Sequence, residues 1–172
     1  MHVMEQKGRT IVVLSGRSKA DRNSLLSSAA GISSADHTVR ILNAQRVFGK
    51  DHILSALQKA ARAFDNGQNV SDSLATETML YMSGCRQIQE AVELLGIKYE
   101  VSRIVIIADY SPDIEEKLKG FPIQEDETVL EGISEKDLAG FGISIQEAGS
   151  VPDKLKLDLI LEHVAGVDIK KK

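Results

Sequence analysis

VSRIVIIA, residues 101–108, is the most strongly β-forming stretch of the chain. β-branched and other apolar residues run through it almost without interruption, a pattern typical of a central strand that is covered on both faces. Shorter runs of the same kind precede it at residues 10–14 (TIVVL) and 38–42 (TVRIL), and residues 140–145 are expected to form an edge strand. The stretch therefore predicts a sheet with a buried middle strand.

Between residues 51 and 96 the apolar residues change to a helical period. Ile53, Leu57 and Ala60 recur at i, i+4 and i+7 behind Asp51, which predicts a helix that ends near residues 66–67. A second helix is predicted from a cap at residues 71–72 to residue 82, and a third from about residue 85 to residue 95. Weaker helical patterns occupy residues 23–30, the charged segment before Gly120, residues 135–139 and the segment from Pro152 to Gly166. The predicted fold class is α+β, with a mixed β-sheet of about four to five strands packed against a cluster of helices.

Composition narrows the class of protein. A chain of 172 residues, 42% hydrophobic and 27% charged, is expected to form a single domain over residues 1–172, with residues 1–9 as a polar extension. No secretory leader or membrane-length apolar run is visible, and one cysteine excludes an internal disulfide, so a cytoplasmic protein is expected. A formal net charge of −4 argues against general affinity for nucleic-acid duplexes, although it leaves room for a local basic patch.

No enzyme class emerges from the chemically reactive residues. The segment Gly16–Lys19 lacks the spacing of a phosphate-binding loop, and the four histidines are scattered, so neither a cofactor nor a metal ion is expected. Cys85, beside Arg86 at a helix start, could be an activated nucleophile, but a half-buried small residue is the favoured interpretation. The acidic pairs lie in charged segments typical of solvated surfaces. The protein is therefore expected not to be an enzyme.

A group of basic and polar residues on the predicted helices is a better candidate for a binding site. Lys59 and Arg62 lie off the apolar stripe of the first strong helix, whereas Arg86 and Gln87 are expected in the exposed first turn of the third helix, next to Ser83. Unpaired backbone N–H groups at such a turn, with an arginine beside them, could receive a phosphate. If the helices pack as a hairpin-like cluster, these residues would converge on one face. The alternative is that they are ordinary surface residues, as most helix-borne cations are.

The order of these elements resembles a known family. The segments RILNA, HILSALQKAARAFDNG, SDSLATETMLYMSGCRQIQEAVELLGI and VSRIVIIA, which together span residues 40–108, are similar to the small kinase-binding subunits of the KEOPS complex, the archaeal and eukaryotic PRPK-binding proteins. The best-matching element is Arg86-Gln87-Ile88 followed by Gly96-Ile97. Its Arg-Gln form is the one associated with archaeal members.

The resemblance implies a non-catalytic subunit of the machinery that installs threonylcarbamoyl on a tRNA adenosine. Such a subunit binds and regulates a small atypical kinase-like ATPase and recruits tRNA by its 3′ CCA end. Lys59, Arg62, Ser83, Arg86 and Gln87 are then the predicted tRNA-binding residues. Few aromatic residues are near enough to stack bases, so Arg86 or an aliphatic surface around Met82 and Ile88 would have to take that part. A purely protein-binding regulator of the ATPase, with no RNA contact, is the alternative.

Overall fold

The computed structural model describes residues 1–34, 37–98, 102–131 and 137–165. Among them, five strands form one sheet: β1 (His2–Gln6), β2 (Arg9–Arg17), β3 (Val39–Asn43), β4 (Arg103–Asp109) and β5 (Gln124–Glu125). The α-helices of the same residues are α1 (Arg22–Ile32), α2 (Gly49–Asp65), α3 (Leu74–Ser83), α4 (Ile88–Leu95), α5 (Ile114–Lys119), α6 (Ile145–Gly149) and α7 (Asp153–Ala165). Short 3-10 helices lie at Ala44–Arg46, Glu127–Leu130 and Ala139–Phe141.

The sheet has the strand order β1-β2-β4-β3, and β5 pairs with the far end of β2 at Gly16 and Arg17. Strand β4 pairs along one side of β2. Strands β1 and β5 therefore both pair along the opposite side, one after the other. Every strand pair among the described residues is antiparallel. The α+β class and the number of strands are confirmed, whereas the described sheet is purely antiparallel and not mixed.

Strand β4 is buried on both faces, as its sequence predicts. Val105 and Ile107 belong to the larger hydrophobic cluster, which α2, α3, α4 and α7 complete. Ile104 and Ile106 belong to a second cluster, completed by α1 and α5. Since successive side chains of a strand point to opposite faces, this alternation makes the protein a sheet between two helical layers.

Three predictions about the elements are wrong in detail. The predicted polar extension forms β1, which pairs with β2 through a tight turn. The edge strand expected at residues 140–145 is absent: Gly142, with φ of 78°, ends a 3-10 helix, and the Ser144 side chain then caps α6 by accepting the Glu147 N–H. Helix α3 is capped by Ser73 and not by residues 71–72. The predicted turn at residues 135–139 lies partly, and the end of the last helix and the basic tail wholly, outside the described residues.

Helix α3 is the innermost helix, with side chains buried on all sides from Ala75 to Ser83. The Asp109 carboxylate, at the end of β4, fixes its start by accepting hydrogen bonds from the backbone N–H groups of Ala75 at 2.7 Å and Thr38 at 2.9 Å. One carboxylate thus joins the first turn of α3 to the ends of β3 and β4. The helix pair that carries the predicted site is consequently anchored to the sheet.

Candidate functional site

Helices α2 and α3 are antiparallel neighbours, and His52 joins them at one end. Its Nδ1 accepts the backbone N–H of Phe48 at 3.2 Å, so its proton lies on Nε2, which donates to the Met82 carbonyl at 3.0 Å. Burial of the ring lowers the pKa of His52 to about 4; the bond to Met82 acts in the opposite direction, and the charge of Lys59 adds to the lowering. The pair is therefore held by a neutral histidine, with Lys59 close to it.

The turn after α3 is shaped by Ser83 and Gly84. The Ser83 hydroxyl donates to the Leu80 carbonyl at 2.8 Å and accepts the Cys85 N–H at 3.1 Å, and the side chain is buried. Gly84 has φ of 71°, in the left-handed region that a glycine occupies without strain. Because its hydrogen bonds stay inside the turn, Ser83 positions the residues that follow it.

Arg86 was expected in the first turn of α4, but it does not lie there. Helix α4 begins at Ile88, with Gln87 as its N-cap residue, so Arg86 precedes the helix. Its side chain is only 24% exposed, and its Nη2 donates to the Gln68 carbonyl, in the α2–α3 loop, at 3.3 Å. Arg86 therefore lies back against the loop that follows α2.

The partner of Arg86 is Glu77, a carboxylate with no exposed surface. Its Oε2 accepts the backbone N–H groups of Val70 at 2.9 Å and Ser71 at 3.0 Å, which orders the α2–α3 loop. Its Oε1 lies 3.8 Å from Arg86 Nη1, and neither atom has a hydrogen-bond partner in the described parts of the chain. The sequence resemblance includes Glu77 but assigns it no role; a lone acid within an apolar helix was the available signal.

The remaining predicted residues occupy the outer side of α2 and the start of α4. Arg62 and Gln87 are exposed, and Lys59 is half-buried. Lys59 and Arg62 are three residues apart, so they are neighbours on the helix surface. Arg86 thus lies against the loop at the end of α2. Lys59 lies close to His52, which is nearer the start of α2. All five predicted residues belong to the α2–α3 pair and the turn into α4.

Surfaces on which a base could stack are few. Tyr81, Phe48 and Met82 are buried, so Met82 does not offer the aliphatic surface that was expected of it. Phe64 is half-buried, and the Arg9 guanidinium lies 4.8 Å from its ring centroid. Ile88 is 37% exposed and lies beside Gln87. Of the side chains considered for stacking, Ile88 and Arg86 are thus the accessible ones.

Cys85 is half-buried, packs against the larger hydrophobic cluster and donates to the Ser83 carbonyl at 3.7 Å. In the parts of the chain that are described, no three His, Cys, Asp or Glu side chains come together as metal ligands. None of the described helices is long and apolar enough to cross a bilayer.

The fold and the site define a class of protein: an α+β protein whose sheet carries a helix pair with cations on its outer side, followed by a half-buried arginine that lies beside a buried glutamate. The chain belongs to the kinase binding protein CGI-121 family, whose model matches residues 18–148, well over half of the chain. This confirms the family that the sequence resemblance predicts and extends the match beyond residues 40–108. Comparison with curated proteins finds no match.

Proposed function

We propose that this protein is a non-catalytic, cytoplasmic subunit of a KEOPS assembly that acts as one unit over its whole length. It binds and regulates the small atypical kinase-like ATPase, and it recruits tRNA by the 3′ CCA end for threonylcarbamoyl modification. Membership of a kinase-binding family supports the first part. The arrangement of cations on the α2–α3 pair supports the second.

The observation that carries the RNA-binding proposal is the placement of Arg86. A guanidinium has five N–H donors; Arg86 donates one from Nη2 to Gln68, and its Nη1 is buried beside Glu77, so the phosphate would be met by the remaining N–H groups on Nη2 and Nε. Glu77 and Gln68 hold the side chain in position, so a phosphate that approaches it meets an ordered arginine. The N-cap residue Gln87 makes no side-chain capping bond, which leaves the first N–H groups of α4 available beside it.

A short single-stranded end is a suitable ligand for such a surface. It needs a few phosphate contacts and one face for a base, whereas a duplex needs a longer array of cations. The phosphate contacts come from Lys59, Arg62 and Arg86. The face for a base is a small apolar and hydrogen-bonding surface formed by Ile88 with Gln87. The net charge of −4 is compatible with this local mode of binding.

Two variants test the surface. Lys59→Glu reverses an outer charge, and Arg86→Gln removes the guanidinium without placing a carboxylate next to buried Glu77. Each is expected to weaken tRNA binding by about tenfold or more, since a charged hydrogen bond is worth roughly 1.5–3 kcal/mol. Binding to the kinase, measured by co-purification, should persist.

Lys19→Glu is the matched control, because Lys19 is exposed and follows the far end of β2. Its tRNA affinity should stay close to that of the wild type. Unchanged tRNA affinity in both Lys59→Glu and Arg86→Gln would show that the α2–α3 surface does not bind RNA.

A second candidate function is that of a purely protein-binding regulator of the ATPase. An apolar cleft of about 360 Å³ favours it, because the cleft is lined by Leu138, Ile143 and Ala148 and bordered by Ile145, which is 89% exposed. Exposed apolar surface of this kind commonly binds another protein. Kinase binding without any tRNA binding by the wild type would favour this function over the first.

A further inference from the structure

The β1–β2 hairpin lies outside the segment that the family model matches, which begins at residue 18. Lys7 and Gly8 form its turn, with φ of 53° and 73°. Two consecutive positive φ values between paired strands are typical of a type I′ turn, whose twist suits a hairpin. Asparagine, aspartate and glycine are the residues favoured at these positions.

Lys7 is therefore the one non-glycine residue with positive φ among the described residues. A lysine there is strained, because its Cβ crowds the backbone and its side chain cannot form the local hydrogen bonds that asparagine forms. Strain of this kind is often associated with a functional residue. The turn thus carries an exposed cation at a position where stability alone favours another residue.

The hairpin turn adjoins the C-terminal end of α2. Lys7 Nζ lies 3.3 Å from Asp65 Oδ2, and both Nε and Nη2 of Arg9 lie 3.4 Å from Asp65 Oδ1. Arg62 is one helical turn before Asp65, is exposed, and makes no ion pair with any residue that the structure describes. We name Lys7, Arg9, Arg62 and Asp65 the hairpin patch; three cations and one carboxylate give it a charge of +2.

The patch suits a phosphate backbone better than a base. Its ion pairs are exposed and long, so exchanging Asp65 for a phosphate costs little. The face of Phe64 is covered by the Arg9 guanidinium, which leaves the ring unavailable for stacking. Cations without a stacking surface bind the backbone and carry no sequence information.

We propose that the hairpin patch is a second RNA-binding site, which holds the phosphate backbone of the tRNA body while the α2–α3 surface holds its 3′ end. The proposal rests on the proposed function and extends the RNA surface from α2 to the N-terminal hairpin. Arg62 joins the two sites, because it lies three residues from Lys59 on one side and three from Asp65 on the other.

The test compares full-length tRNA with a short single-stranded RNA that ends in CCA. Lys7→Asn removes a charge while placing a favoured residue in the turn, so the melting temperature should be unchanged or higher. Combined with Arg9→Gln, it should lower affinity for full-length tRNA by about tenfold at low salt. The magnitude of the slope of log affinity against log salt should fall by between one and two, because each of the two lost phosphate contacts accounts for about 0.7 to 0.9.

The double variant should bind the short RNA as tightly as the wild type does. Arg86→Gln should weaken binding of both the short RNA and full-length tRNA. Lys19→Asn is the control, because it removes a charge at the other end of β2, roughly 27 Å from the start of that strand. An unchanged salt slope for tRNA would overturn the proposal, as would an equal loss for both RNAs or a loss of kinase binding alone. If CCA removal does not affect the wild type while the double variant still loses tRNA affinity, the 3′-end proposal fails and the hairpin patch stands.

Discussion

The pH dependence of stability should report the buried histidine that joins α2 to α3. His52 is expected to titrate near pH 6.5 in the unfolded chain, whereas burial lowers its pKa to about 4 in the folded protein. Between these values the unfolded chain binds a proton that the folded protein does not bind. The contribution of neutral His52 to the free energy of unfolding is therefore fully present above pH 6.5 and is lost as the pH falls toward 4.

The interval between 6.5 and about 4 sets the magnitude. Because one pKa unit corresponds to about 1.4 kcal/mol, the free energy of unfolding should fall by about 3 kcal/mol across it. The drop is large relative to the whole stability of a typical domain, roughly 5–15 kcal/mol. Acidification to pH 4 should thus weaken the protein well before its exposed carboxylates protonate fully.

Urea unfolding of the wild type and of His52→Gln, from pH 7.5 to pH 4, isolates this contribution. Glutamine does not titrate, so the variant should be less stable at pH 7.5 but should depend less on pH. Subtracting the two curves removes the effects of carboxylates common to both proteins, such as Asp126, whose pKa is lowered to about 2 by its bonds to Thr128 and Arg17. Parallel curves would refute the assignment of a neutral, buried His52.

Three further substitutions test the framework of the site. Glu77→Gln should destabilise the fold by about 2 kcal/mol, because the half-buried Arg86 loses its counter-charge, and should speed hydrogen exchange in residues 66–73, because an amide oxygen accepts the two loop N–H groups more weakly than a carboxylate does; unchanged exchange would contradict the role of Glu77 in the loop. Gly84→Ala should cost about 1 kcal/mol in chemical denaturation, since φ is 71° there, and a neutral result would argue against the left-handed turn. Asp109→Asn should lower the melting temperature by about 2–4 °C for a loss near 1 kcal/mol, because the amide oxygen can replace only one of the two carboxylate acceptors; an unchanged value would exclude Asp109 as the anchor of α3.

The elements that sequence predicts well are those in which local pattern and burial agree. Strand β4 and helix α2 follow directly from their apolar periods, since each buries a complete face or both faces. Strand β1 does not, because HVMEQ lacks the regular polar–apolar alternation of a strand and its turn lacks the usual Asn-Gly signal. Its pairing depends on β2, which no local pattern reveals.

The candidate site is likewise predicted in part by local pattern and in part not. Residue types and their order identify Lys59, Arg62, Arg86 and Gln87 as candidates, but not how Arg86 is held. Its contacts with Glu77 and with the Gln68 carbonyl join segments that lie on different helices and loops. A contact between separate segments depends on the helix packing, so periodicity could not predict it.

The most direct measurement of the central claim compares the wild-type protein's affinity for tRNA with and without its terminal CCA nucleotides, at one fixed salt concentration. If the protein holds tRNA by its 3′ end, intact tRNA should bind and removal of the three nucleotides should lower affinity by about tenfold or more, with the kinase complex intact. Equal affinity for the two tRNAs, or no binding of either, would contradict it.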